Sequence, residues 1–153
     1  MKPSIQIQRF PYEEPHHLHL RFSASNADFA GAIEIYLNAT ELLKWADELE
    51  AFPRHKDHVF LFDYGSERKE DRWAYYFRFR AFCYSSSGRS ALHFRLNTNS
   101  EIPNIGISEF CITTEAARIN HLGRLLREFA RLDHAILDWD TQDGRLYKTE
   151  SKE

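Results

Sequence analysis

The chain has 153 residues, of which 42% are hydrophobic, 14% aromatic and 28% charged, a composition that excludes wholesale disorder and suits one domain burying roughly 70% of the surface its unfolded form would expose. A formal charge of −3 lacks the basic excess of a general phosphate-backbone binder, so nucleic acid is not an expected partner. No stretch approaches the roughly 20 apolar residues of a membrane span, and Met1 to Phe10 alternate instead of forming a signal-peptide core; a cytoplasmic protein with no membrane partner is expected.

Ile5 and Ile7 alternate with Gln6 and Gln8, and Leu18, Leu20 and Phe22 alternate with His17, His19 and Arg21; Pro11 and Pro15 bracket the turn between them. Period-two alternation is the pattern of a half-buried strand. Ile33, Ile35 and Leu37, set against Ala32, Glu34 and Tyr36, extend it to a third strand. The period then changes to that of a helix: Leu42, Trp45, Ala46 and Leu49 fall on one side, with Glu41, Lys44, Asp47, Glu48 and Glu50 on the rest. Asn38, three residues before Glu41, forms a capping box with Thr40 as the rival cap, and Pro53 stops the helix.

A fourth strand is predicted from about Asp57 to Tyr64. The fifth, Arg72 to Tyr84, is the longest β-forming run. Trp73, Tyr75, Phe77, Phe79, Ala81 and Cys83 form its core face, and Arg72, Ala74, Tyr76, Arg78, Arg80, Phe82 and Tyr84 face water. After the turn Ser85 to Gly88, Leu92, Phe94 and Leu96 alternate with Ala91, His93 and Arg95, and a seventh strand spans roughly Ile105 to Thr113. Thr113 or Thr114 caps a closing helix with the stripe Ile119, Leu122, Leu126 and Phe129 and with Arg124, Arg127 and Arg131 opposite. Ile136, Leu137 and Trp139 read as a short docked segment, and 141–153 as a polar, frayed tail. The expected fold is α+β, in one domain over 1–140: a mainly antiparallel meander sheet of about seven strands, with both helices packed on one face and the other face wet.

That wet face gathers His17, His19, Arg21, Glu34, Tyr36, Tyr76, Arg78, Arg80, His93, Arg95 and Glu109. Arginine and tyrosine offer large contact area with directed hydrogen bonds, which favours recognition of an acidic protein surface through Tyr76, Arg78, Arg80, His93 and Arg95. The plain alternative is a set of ordinary cross-strand pairs in which Glu34 and Glu109 balance the arginines. An acidic contact face on the first helix, Glu41, Asp47, Glu48 and Glu50, is the second candidate.

His17 and His19 form an H-x-H pair that chelates a metal if His93 or Glu34 joins it, which opens a metal or small-ligand site, and with it an enzyme, as a rival reading. Otherwise the catalytic signatures are missing. No G-x-S-x-G elbow, G-x-G-x-x-G or P-loop occurs, and Asp138 and Asp140 sit near the tail. Cys83 lies on the core face and Cys111 has no histidine placed beside it by sequence, so both thiols read as reduced and packed. No cofactor is expected. A third reading is a homo-oligomer that hides the same sheet face against a symmetry mate.

Phe29 to Gly31 ahead of a strand, the segment YLNATELLKWADELEAFP (Tyr36 to Pro53), an aromatic strand, the LHFRL hairpin strand (Leu92 to Leu96) and a closing amphipathic helix resemble, over about residues 5–132, small bacterial α+β proteins that look like toxin-neutralising immunity proteins. The resemblance implies a non-enzymatic cytoplasmic protein that binds and blocks one toxin domain. Immunity proteins against nucleases look acidic at the contact, which would suit the first helix.

Overall fold

The computed structural model describes residues 2–148. Nine strands and two α-helices run in the order β1 (Ser4–Glu13), β2 (His17–Ser25), β3 (Ala30–Leu37), α1 (Ala39–Glu50), β4 (Phe60–Gly65), β5 (Tyr76–Cys83), β6 (Ser90–Asn97), β7 (Ile107–Thr114), α2 (Ala116–Phe129), β8 (Ile136–Asp140) and β9 (Gly144–Tyr147). The α+β class and the antiparallel pairing are as expected, but the strands form two sheets: five in the order β3-β2-β1-β8-β9 and four in the order β4-β5-β6-β7. The expected single seven-stranded meander is thereby corrected. Helix α1 is the cause, because it carries the chain away from the edge strand β3 before β4 starts.

The tail is the second correction. Leu137 and Trp139 pair with Ile7 and Ile5 of β1, so β8 completes the free side of that strand, and β9 turns back along β8 where a frayed segment was expected. Arg118 of α2 holds this hairpin with hydrogen bonds from Nη2 to the carbonyls of Asp140 (2.8 Å) and Asp143 (2.9 Å). The rest of the expected tail, 149–153, lies outside the described residues.

Both sheets turn their apolar rows inward onto one aromatic core. Phe22 of β2 packs its ring 4.8 Å from Phe77, 5.5 Å from Phe79 and 5.8 Å from Phe94. Trp45 of α1 closes the opening between the sheets, 4.8 Å from Phe62 and 5.5 Å from Phe79. The edge strand β3 crosses the end of the second sheet: Ser108 Oγ donates to the Ala30 carbonyl (2.9 Å), and the Tyr36 amide donates to Tyr64 Oη (3.3 Å). Tyr64 and Ser108 share one cross-strand row with Phe77 and Leu96.

Asn38 caps α1 as the sequence predicts, accepting from the Glu41 amide at 2.9 Å. For α2 the prediction fails: Thr113 and Thr114 are taken into β7, and Glu115 stands at the N-cap without a side-chain bond. The helices pack on each other where Gly123 meets the α1 terminus; a Cβ there would lie 2.6 Å from the Glu50 nitrogen. Asn120 Nδ2 donates to the carbonyls of Leu49 (2.9 Å) and Phe52 (2.6 Å), tying α2 to the end of α1 and to the turn that follows it.

Candidate functional site

The outer face of the four-stranded sheet is built from register rows. Leu61, Arg80, His93 and Cys111 form one row across β4, β5, β6 and β7; Asp63, Arg78, Arg95 and Glu109 form the next; Gly65, Tyr76, Asn97 and Ile107 follow. Strand parity therefore brings Tyr76, Arg78, Arg80, His93 and Arg95 together as the sequence predicts. Their environment differs from the prediction.

Arg78 and Arg95 stand directly opposite each other, a repulsive arrangement unless acids intervene. Acids do intervene. Asp63 accepts from Arg78 Nε (3.0 Å) and from the Tyr76 hydroxyl (2.7 Å). Arg95 donates to Glu67 (2.9 Å) and Glu109 (3.1 Å), and Asn97 donates to Glu67 (2.6 Å). Tyr76 is only 6% exposed, and burial, with Asp63 second, pushes its phenol up to about 12. The Arg95 hydrogen bond holds Glu67 below the usual carboxylate range, and the His93 hydrogen bond does the same for Glu109. The face expected to be cationic is thus largely internally neutralised.

Arg80 is the exception. Its Nε donates to Nδ1 of His93 (3.0 Å), and its guanidinium carbon lies 4.4 Å from the centre of the Phe82 ring; no described carboxylate pairs with it. His93 is buried and reaches Glu109 through Nε2 at 2.7 Å. Beside Arg80 in the same row, Leu61 is 53% exposed, and Cys111 is a half-buried thiol that burial pushes up, against the pull of Arg80. A raised thiol stays protonated and is a poor nucleophile.

Exposed apolar side chains concentrate on this sheet and the loops that enter it. Eight of the twelve large ones among the described residues belong here: Val59, Leu61, Trp73, Tyr75, Tyr84, Ile102, Ile105 and Ile107. Trp73 and Tyr75 were expected on the core face. They are exposed because the last β4–β5 pair is Gly65 with Tyr76, which leaves the preceding residues no strand to pair with. A depression between Trp73, Asn97, Asn99 and Ile107 continues the face.

The histidine pair lies elsewhere. His17 and His19 are on β2 of the five-stranded sheet and His93 is on β6 of the other, so the three do not converge. His19 bonds Glu34 and stacks on Tyr36 at 4.7 Å. Among the described residues no group of three His, Cys, Asp or Glu is arranged to hold a metal. The wet-face set expected on one sheet is split likewise: Arg21, Glu34 and Tyr36 accompany His19, away from Tyr76 to Arg95.

The acidic row of α1 is also engaged. Arg127 of α2 bridges Asp47 and Glu50, Glu48 meets Arg54 and His58, and Glu41 meets Lys44. Alternation could have marked Leu61 and Asp63 as outward, since they flank the inward Phe62. Glu67 sits in a charged turn with no pattern pointing to the sheet. No protein-family model and no curated protein matches this chain.

Proposed function

We propose that the protein is a non-enzymatic binding module whose contact surface is the outer face of the four-stranded sheet. The observation that carries the reading is the placement of exposed Leu61 and Ile107 around a pre-organised polar centre whose Arg80 pairs with no carboxylate among the described residues. Fixed arginine and aromatic groups lose little entropy on contact, and a desolvated arginine is a common hot spot. The polar groups here satisfy one another, which favours a rigid platform over a site poised for proton transfer. Neutralisation of a toxin domain, the role implied by the resemblance to immunity proteins, is the most concrete form of this function.

The test is calorimetric titration against the product of any toxin-like gene found adjacent to this one. Arg80→Glu and Ile107→Glu are each expected to cost about 2 kcal/mol or more of binding, while Tyr36→Ala on the other sheet changes little. Absence of any complex with that product rejects the toxin reading; equal loss from Tyr36→Ala moves the contact to the other sheet.

A further inference from the structure

Among the described residues two arginine side chains donate to a histidine ring, and the pairs differ in what stands behind the ring. His93 accepts from Arg80 and has Glu109 on its other nitrogen. His121 of α2 has Arg118 Nη1 at 2.9 Å from its Nδ1, and no described carboxylate is bonded to it. A guanidinium only donates, so Nδ1 must accept, and the contact exists only while His121 is neutral. The charged groups around the imidazole are Arg118 and Arg124 from its own helix and Asp143 from the β8–β9 turn. Asp143 is already engaged, by the Gly144 amide at 2.8 Å and Arg145 at 3.5 Å, and Asp140 turns its carboxylate onto the amides of Gln142 and Asp143, both at 2.7 Å. Burial first, then the two arginines, hold His121 below the ordinary imidazole value, against the pull of Asp143.

The same guanidinium holds the β8–β9 hairpin. Arg118 Nη2 reaches the carbonyls of Asp140 and Asp143, the Arg118 carbonyl takes the Trp139 indole N–H at 3.0 Å, and no described group accepts from the buried Nε. The imidazole lies against Gly144, where a Cβ would be 2.9 Å from His121 Cε1 and 2.5 Å from Leu125 Cδ1. We propose that this hairpin is a proton-operated latch: neutral His121 keeps it closed through Arg118, and a proton on Nδ1 opens it. Protonation sets two cationic donors face to face at 2.9 Å, so one of them must leave. If the guanidinium leaves, the hairpin loses both carbonyl bonds; if the imidazole leaves, Gly144 loses the ring packed on it. Either way the hairpin loosens from α2, and β9, only four residues long, has little ladder of its own to resist. The β2–β3 pairing has no bond that passes through Arg118 and stays closed.

Amide-exchange NMR on the purified full chain tests the inference without any partner, so the outcome is independent of the binding reading. The contribution of His121 is full above its unfolded value of about 6.5 and is lost as pH falls through the lower folded value. Protection factors, which remove the intrinsic pH dependence of exchange, should fall about tenfold at the Asp140 and Ala135 amides, bonded to Asp143 and Tyr147, between about pH 7.5 and about pH 5, with less than about a twofold change in the β2–β3 ladder. His121→Gln, uncharged and able to accept from Arg118, should keep the hairpin protected throughout; His121→Ala should leave it poorly protected at both ends of the range. Should the variants fail to fold, the unaltered protein decides: the midpoint of the His121 ring titration must coincide with that of the hairpin amide shifts. Hairpin protection that is flat with pH, an acid loss that persists in His121→Gln, separate midpoints, or a loss shared equally by β2 and β3 overturns the inference.

Discussion

Arg80 donates from Nε to Nδ1 of His93 at 3.0 Å, and the other ring nitrogen of His93 lies 2.7 Å from Glu109 Oε2. For Nδ1 to accept, its lone pair must be free, so the ring proton sits on Nε2 and is directed at Glu109. The chain Arg80–His93–Glu109 fixes three strands' outward side chains relative to one another.

Long-range proton–nitrogen NMR is expected to show His93 with its proton on Nε2. His93→Ala should free the Arg80 side chain, seen as averaging of its Nε–H signal. A proton on Nδ1 in the unaltered protein would mean that the Arg80 contact is not made.

Stability should fall at both ends of the pH scale for separate reasons. Glu67 and Glu109 are held below the ordinary glutamate value, so their contribution is full above about 4.3 and is lost as pH falls through the lower folded values. Both side chains are over a third exposed, at 36% and 47%, and screening keeps the effect small. The Tyr76 phenol is pushed up to about 12; its contribution persists below the unfolded value of about 10 and declines as pH rises from there. Urea titrations across pH should show a shallower acid limb for Glu109→Gln and a shallower alkaline limb for Tyr76→Phe.

The helix pair should be intolerant at Gly123. An alanine Cβ there would lie 2.6 Å from the Glu50 nitrogen and 3.0 Å from the Leu49 carbonyl carbon, backbone atoms that move only with α1, and a cost of about 1–3 kcal/mol is expected in denaturant unfolding. Asn120→Ala removes both bonds to the end of α1 and should cost about 1–2 kcal/mol.

Phe22→Ala should be the more damaging change, at about 3–5 kcal/mol by the same measurement. That ring touches Phe77, Phe79 and Phe94 of the opposite sheet and Trp45 of α1, so its loss opens a cavity where three layers meet. A cost near 1 kcal/mol would show that the sheets close over the gap.

Alternation at Ile5, Ile7, Leu18, Leu20 and Phe22, and the helical stripe from Leu42 to Leu49, were legible in the sequence because burial repeats with the local backbone period. The same parity placed Phe77, Phe79 and Ala81 inward and Arg78, Arg80 and His93 on one outer face. The β8–β9 hairpin was less legible: Leu137 and Trp139 do alternate with Asp138 and Asp140, but the bonds from Arg118 that hold it come from a helix about 20 residues earlier.

The amino-acid order by itself determined the segments from β1 to α2 and the core side of most of them, since both follow from local periodicity; it missed β9 and turned Trp73 and Tyr75 inward. Only the tertiary structure decided that the strands divide into two sheets, that His17 and His19 part from His93, and that Asp63, Glu67 and Glu109 neutralise all the arginines of the candidate face but Arg80. Those outcomes depend on pairings between distant residues, where the winning arrangement is the one that buries the most apolar surface while leaving the fewest charges unmatched.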